Sequence, residues 1–154
     1  MSVNDIMDTE VVAVSETITV RSAARILVRS RCSALPVTDE NGRLVGEFGN
    51  EQLLRFALPE YAHMTQSLAA LPPDFEPYYK RLEEAADMRV RDVMIPAHSV
   101  PEMTSIVAAL ALIADEGIEE LFVRAKNKLV GVVTRTRVLE DVIYPSVLHD
   151  DPED

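Results

Sequence analysis

Ser33-Ala34-Leu35-Pro36-Val37 and Leu44-Val45-Gly46, with Thr38 to Arg43 between them, decide the fold of this chain. Two short apolar runs flank a polar joint holding Asp39-Glu40-Asn41-Gly42. Asn-Gly between apolar runs is a strong hairpin signal, because both residues tolerate positive φ. The pattern returns as Glu120-Leu121-Phe122-Val123, then Lys126-Asn127-Lys128, then Leu129-Val130-Gly131. Gly46 and Gly131 lie 85 residues apart. One hairpin used twice predicts two copies of a unit that bury a joint core.

At the same spacing Thr19, Ala23, Ala24 and Leu27 fall on Thr104, Ala108, Ala109 and Leu112, and Leu54 falls on Leu139. A further echo, Asp5-Ile6-Met7 on Asp92-Val93-Met94, needs a spacing of 87. Thr19 is expected to cap a helix, its hydroxyl accepting from a backbone N–H two or three residues on. Val20, Ala23, Ala24, Leu27 and Val28 follow at the spacing of one helical face, with Arg21, Arg25 and Arg29 on a solvated face. In copy two Thr104 takes the cap role and Ala108, Ala109, Leu112 and Ile113 form the stripe. Strands are expected at 11–14, near 34–38 and 44–48, and near 120–124 and 129–133. Gln52 to Ala57 reads as the second helix of copy one. Val138, Leu139, Val142 and Ile143 form that of copy two, which Pro145 helps to end.

Each copy is thus strand, helix, strand, strand, helix, an α/β (α+β) unit. At roughly 50–60 residues such a unit cannot cover its own apolar surface. Two copies packed about a pseudo-two-fold axis can. The expected organisation is copy one over 1–57, an insert over 58–89, copy two over 90–147 and an acidic tail over 148–154. Pro59, Pro72, Pro73 and Pro77 punctuate the insert. Between them Tyr61, Met64, Leu68 and Leu71 keep helical spacing, and Tyr78 to Asp87 is a second helical candidate.

Hydrophobic residues make up 47% and charged residues 27% of 154, the balance of a soluble globular chain. No apolar run approaches the roughly 18 residues that cross a membrane, and the start lacks a basic stretch followed by an apolar core. The single Cys32 cannot form an internal disulfide, which fits a cytoplasmic location. At a strand start it reads first as a small buried hydrophobe, and only second as a reactive thiol. A net charge of −11 argues against nucleic acid as a partner, while leaving room for a local basic pocket. His63, His98 and His149 sit in unrelated contexts, without metal-ligand spacing. Neither G-x-x-x-x-G-K-[ST] nor G-x-G-x-x-G occurs. No catalytic residue and no metal ligand is expected.

The repeated order of elements, with Asp5-Ile6-Met7 and Asp92-Val93-Met94, Ser33-Ala34-Leu35-Pro36-Val37, Leu-Val-Gly in both copies and Gly131-Val132-Val133-Thr134, resembles a tandem pair of CBS (cystathionine β-synthase) domains, or Bateman module. The resemblance covers nearly all of the chain outside 58–89. It implies a non-catalytic regulatory module binding an adenosine-containing ligand (AMP, ADP, ATP or S-adenosylmethionine) in clefts between its halves. It implies a homodimer, and a transporter or enzyme as the regulated partner. Carried over by motif, the nucleotide contacts fall on Ser33, Ala34, Pro36, Ile118 and Thr134. Arg135 and Arg137 are read either as phosphate contacts or as solvated helix-start arginines. The family's Thr or Ser, two residues, then Asp at the last helix becomes Gly49 with Gln52 in copy one and Thr134 with Arg137 in copy two. Neither copy keeps the carboxylate that would accept from ribose hydroxyls. Two readings stay open: a ligand sensor, and a degenerate pair that only dimerises or docks.

Overall fold

The computed structural model describes residues 1–58 and 71–149. Copy one contains β1 (Val14–Ser15), α1 (Val20–Ser30), β2 (Ala34–Thr38), β3 (Leu44–Gly49) and α2 (Asn50–Ala57). Next come α3 (Glu76–Ala86) and α4 (Val90–Val93). Copy two contains β4 (Ser99–Pro101), α5 (Ile106–Glu116), β5 (Glu120–Ala125) and β6 (Lys128–Thr134). It closes with α6 (Arg135–Val138), a π-helical turn over Leu139–Ile143, and α7 (Tyr144–Leu148). The strands form two three-stranded sheets, ordered β1-β2-β3 and β4-β5-β6, each with one parallel and one antiparallel pairing.

Several expectations shift in register. Thr19 caps α1, its Oγ1 accepting from Ser22 N at 3.1 Å. In copy two the cap is Ser105, which accepts from Ala108 N, and not Thr104. The buried stripe is accordingly Ile106, Ala109 and Ile113, with Ala108 exposed and Leu112 half-buried. The reason is the hairpin joint. Val37 pairs with Gly46 and Val123 with Gly131, so the joint of copy two is one residue shorter. From the first strand to the joint the elements repeat at 86 residues, and after it at 85. The first strand is Val14–Ser15, not 11–14, because only Val14 and Ser15 pair with β2. Pro145 does not end the last helix, which runs through it to Leu148. The π-helical turn just before it changes the backbone hydrogen-bond register. Tyr61, Met64 and Leu68 lie outside the described residues.

The lead-in segments cross over. Val3 and Ile6 are buried in the core of copy two, with Val100, Ile113, Leu121 and Val133. Val90 is buried in the core of copy one, with Val20, Leu35 and Phe48. Asp8 pairs with Val132, and Ile95 pairs with Glu47, as pseudo-equivalent bridges between the halves. Both Leu-Val-Gly glycines serve this crossing. A Cβ on Gly131 would stand 2.6 Å from Met7 Sδ, and one on Gly46 would stand 2.8 Å from Met94 Sδ. Each methionine of the echoed Ile-Met and Val-Met pairs therefore lies on the glycine of the opposite copy.

The first hairpin joint is built on Asp39. Its Oδ1 accepts from Asn41 N at 2.8 Å and Arg43 N at 3.0 Å, and Gly42 takes φ +79°. The Arg43 backbone N–H in particular holds the Asp39 carboxyl below its ordinary value of 3.8. A depressed carboxyl contributes stability above its unfolded pKa and loses it as pH falls through the folded pKa. Asp39→Asn is therefore expected to be less stable than wild type at neutral pH. The difference should close as pH falls below the ordinary carboxyl range. Denaturation midpoints measured against pH check this; a constant gap down to strong acid would contradict it.

Candidate functional site

The pseudo-two-fold packing leaves two clefts on opposite sides of the point where β2 and β5 begin. Ser33 and Glu120 form the ridge between them. Glu120 Oε1 accepts from Ser33 N at 2.9 Å, and Ser33 Oγ donates to Glu120 Oε2. Ser33 and Ala34 line both clefts.

Cleft one, about 420 Å³, opens at the start of α2. Gly49 N donates to Gln52 Oε1 at 2.8 Å, so the Gln52 amide oxygen is spent inside the protein. Gly49 has no room for a hydroxyl-bearing side chain, since a Cβ there would stand 2.2 Å from Ser33 O. Among the described residues Glu47, Glu51, Glu116, Glu119 and Glu120 line this cleft, and no Lys or Arg does. His98 spans it. Its Nδ1 lies 2.7 Å from Glu47 Oε1 and its Nε2 lies 3.3 Å from Glu116 Oε2. Ile118 lines cleft one as well.

Cleft two, about 610 Å³, opens at the start of α6 and brings Ser33, Ala34, Pro36 and Thr134 together. Thr134 Oγ1 caps the helix by accepting from Arg137 N at 3.0 Å. Its hydroxyl proton stays available to donate, because a hydroxyl both donates and accepts. Val11, Val12 and Phe122 supply apolar wall, and Asp8, Glu10, Glu119 and Glu120 supply carboxylates. Arg135 and Arg137 line neither cleft. Arg135 Nε donates to Ile118 O at 3.2 Å, and its guanidinium lies 3.8 Å from Glu119. Arg137 donates to Asp141 one helical turn on.

Among the described residues Arg31 is the one cation on the wall of cleft two. It ends α1 at φ +57°, in the left-handed region. Its pseudo-equivalent in copy two, Gly117, takes φ +63° at the end of α5. A glycine at this position is free of strain, whereas a side chain there costs on the order of 1 kcal/mol. Sequence reading passes over Arg31 because no motif marks it. The comparison with Gly117 is the signal that would have found it. Cys32 is half-buried beside it, its Sγ 3.6 Å from Ser30 O. Among the described residues no group of three or more His, Cys, Asp or Glu is placed to hold a metal.

Two crossed copies of one α/β unit, with a cleft on either side of their common ridge, define a tandem-repeat module. The chain belongs to the CBS domain family, whose model matches residues 3–58 and 90–144. It is 30% identical to the CBS domain-containing protein CBSX1, chloroplastic, of Arabidopsis thaliana over 82% of this chain and 56% of that protein. It thus spans little more than half the length of that relative. The fold matches the crystal structure of CBSX2 in complex with AMP at a TM-score of 0.70 and 24% identity, covering 94% of this chain and 98% of that one. It also matches MJ1225 of Methanocaldococcus jannaschii, a putative archaeal homolog of g-AMPK. There the TM-score is 0.73 and the identity 20%, over 90% of this chain and 46% of that one.

Proposed function

We propose that the chain is a non-catalytic regulatory module that takes a phosphorylated adenosine ligand in cleft two and passes its occupancy to a partner protein. The observation that carries this reading is Arg31, held at positive φ on the wall that also presents Thr134, Ser33, Ala34 and Pro36. The apolar wall suits a base, Thr134 and Arg31 suit a phosphate, and the cleft carboxylates can accept from ribose hydroxyls. The AMP bound by the CBSX2 structure supports the ligand class. Cleft one, lined by carboxylates and without a Lys or Arg, disfavours phosphate. AMP, ADP or ATP is therefore preferred over S-adenosylmethionine and over adenosine. A thermal-shift series with these ligands tests it. Stabilisation by the phosphorylated members is the expected result; none by any member would favour the docking-only module. A cytoplasmic location is part of this reading, supported by the lone Cys32. Among the described residues no helix is long and apolar enough to cross a membrane.

The homodimer is also part of the proposal. Ala23 and Leu27 cannot form its interface, since both are buried in the core of copy one. The face that suits a second copy lies on copy two. Helix α5 is uncharged from Ile106 to Ala114, yet Val107 is 75% exposed, beside exposed Met103, Ala108 and Ala111. A helix apolar all round is normally covered, and a neutral face meets its own copy without repulsion. Light scattering should give twice the 17.1 kDa chain mass. Val107→Glu should return a monomer; a monomeric wild type would contradict the dimer.

A further inference from the structure

Cleft one carries a charged triad that has no counterpart in cleft two. His98 lies just before β4, half-buried between Glu47 on β3 and Glu116, the last residue of α5. Its backbone is held on both sides. The His98 N–H donates to Glu47 Oε1 at 2.6 Å, and its carbonyl accepts from Phe122 N at 2.9 Å. The ring then sets Nδ1 2.7 Å from Glu47 Oε1 and Nε2 3.3 Å from Glu116 Oε2. Glu47 is 6% exposed, a buried carboxylate in a sheet whose other inward residues are apolar. The repeat shows that the fold does not require these charges. Glu47 pairs with Ile95 as Val132 pairs with Asp8. His98 stands two residues before Val100 as Val12 stands two before Val14, and Val100 and Val14 occupy the same place in their sheets. Glu116 falls 86 residues after Ser30. Val132, Val12 and Ser30 all line cleft two, and none of them ionises there. Placing a carboxylate and an imidazole where the other half has two valines costs desolvation, which a packing role alone does not explain.

We propose that His98 is a proton-dependent clasp across cleft one. Its charged ring joins Glu47 of copy one to Glu116 of copy two, and its neutral ring releases Glu116. A carboxylate only accepts hydrogen bonds, so both ring nitrogens must carry a proton to bond both partners. The neutral ring has one N–H. The shorter contact, to buried Glu47, keeps that proton on Nδ1, and Nε2 then turns a lone pair toward Glu116. The rest of the cleft wall has the same sign. Glu51 on α2, Glu119 ahead of β5 and Glu120 at its start line the cleft with Glu47 and Glu116, and among the described residues no Lys or Arg does. Arg124 on β5 is turned away to Ser99 Oγ and Lys126 O. Negative charge on every side attracts an imidazolium. The protonated ring finds two acceptors in the folded chain and none in the unfolded one. The contribution of the clasp is therefore present at acid pH and is lost as pH rises through the range, about pH 5–8, in which histidine changes charge. The proposal stands apart from the reading of cleft two, since none of the three side chains lines that cleft.

Urea unfolding of the wild type, His98→Gln and Glu116→Gln at about pH 5.5 and about pH 8.5 tests the clasp. Comparison with His98→Gln at each pH cancels the other titrating groups. The wild type should exceed both variants at the lower pH by about threefold or more in the unfolding equilibrium constant. Both gaps should close by at least about half at the higher pH. Nitrogen-15 shifts of the wild-type ring should report protons on both nitrogens at the lower pH and on Nδ1 alone at the higher. The ring shifts need no variant, so they decide the case even where a substitution prevents folding. Gaps that are equal at the two pH values, or an Nε2 without a proton at the lower pH, overturn the proposal. So does a gap to His98→Gln without one to Glu116→Gln, which would make His98 a partner of Glu47 alone.

Discussion

Ile6→Ala is expected to lower the unfolding free energy by about 2–5 kcal/mol, and the loss should fall on copy two. Ile6 stands at the start of copy one in sequence, yet it is buried with Val3 among Val100, Ile113, Leu121 and Val133. Val3 is fully buried, and its N–H donates to Thr104 O at 2.8 Å. Two residues after Ile6, Asp8 exchanges backbone hydrogen bonds with Val132, both at 2.9 Å. The lead-in is thus a structural part of the second sheet's core, and removing its apolar anchor leaves a cavity there. Urea denaturation gives the magnitude, and hydrogen exchange gives the place. Amides of β5 and β6 should lose more protection than those of β2 and β3. Loss confined to the first sheet would contradict the crossed arrangement.

Arg31→Gly should weaken AMP binding by about tenfold or more, since a charge-assisted hydrogen bond contributes about 1.5–3 kcal/mol. The same variant should be no less stable than wild type without ligand. Gly117 already fills the pseudo-equivalent left-handed position, and glycine there is relieved of the side-chain strain. A side chain with only a structural role would show the opposite pairing, with stability lost and binding kept. Arg137→Ala should leave AMP affinity within about twofold, because Arg137 is turned to Asp141 and lies outside both clefts. Calorimetric titration of the three proteins separates these outcomes. A loss of affinity in Arg137→Ala equal to that in Arg31→Gly would contradict the assignment.

The architecture was legible because its signals are local and repeated. Asn-Gly between apolar runs, Thr19 before a helical stripe and Leu-Val-Gly in both copies each report a short-range constraint. The register of α5 was not, because the ungapped spacing that aligns the glycines hides a joint shortened by one residue. Thr104 therefore took the place of Ser105, although Ala109 and Ile113 still fell on the buried face. The crossing of the lead-ins was hidden for another reason. Asp5-Ile6-Met7 and Asp92-Val93-Met94 show that the segments are alike, but nothing local says which sheet each one joins. At the candidate site, motif position brought out Ser33, Ala34, Pro36 and Thr134, which share cleft two. Ile118 lies across the ridge in cleft one. Side-chain direction was out of reach. Arg135 and Arg137 neighbour Thr134 in sequence, but their guanidinium groups turn to Glu119 and Asp141. Arg31 reaches the cleft from the far end of α1.

The stoichiometry of AMP binding measures the difference between the two clefts most directly. Titration calorimetry on the wild-type chain should give one AMP per chain, with adenosine bound at least about tenfold more weakly for want of the charge-assisted phosphate contacts. Two equivalent AMP sites per chain, or equal affinity for AMP and adenosine, would contradict it.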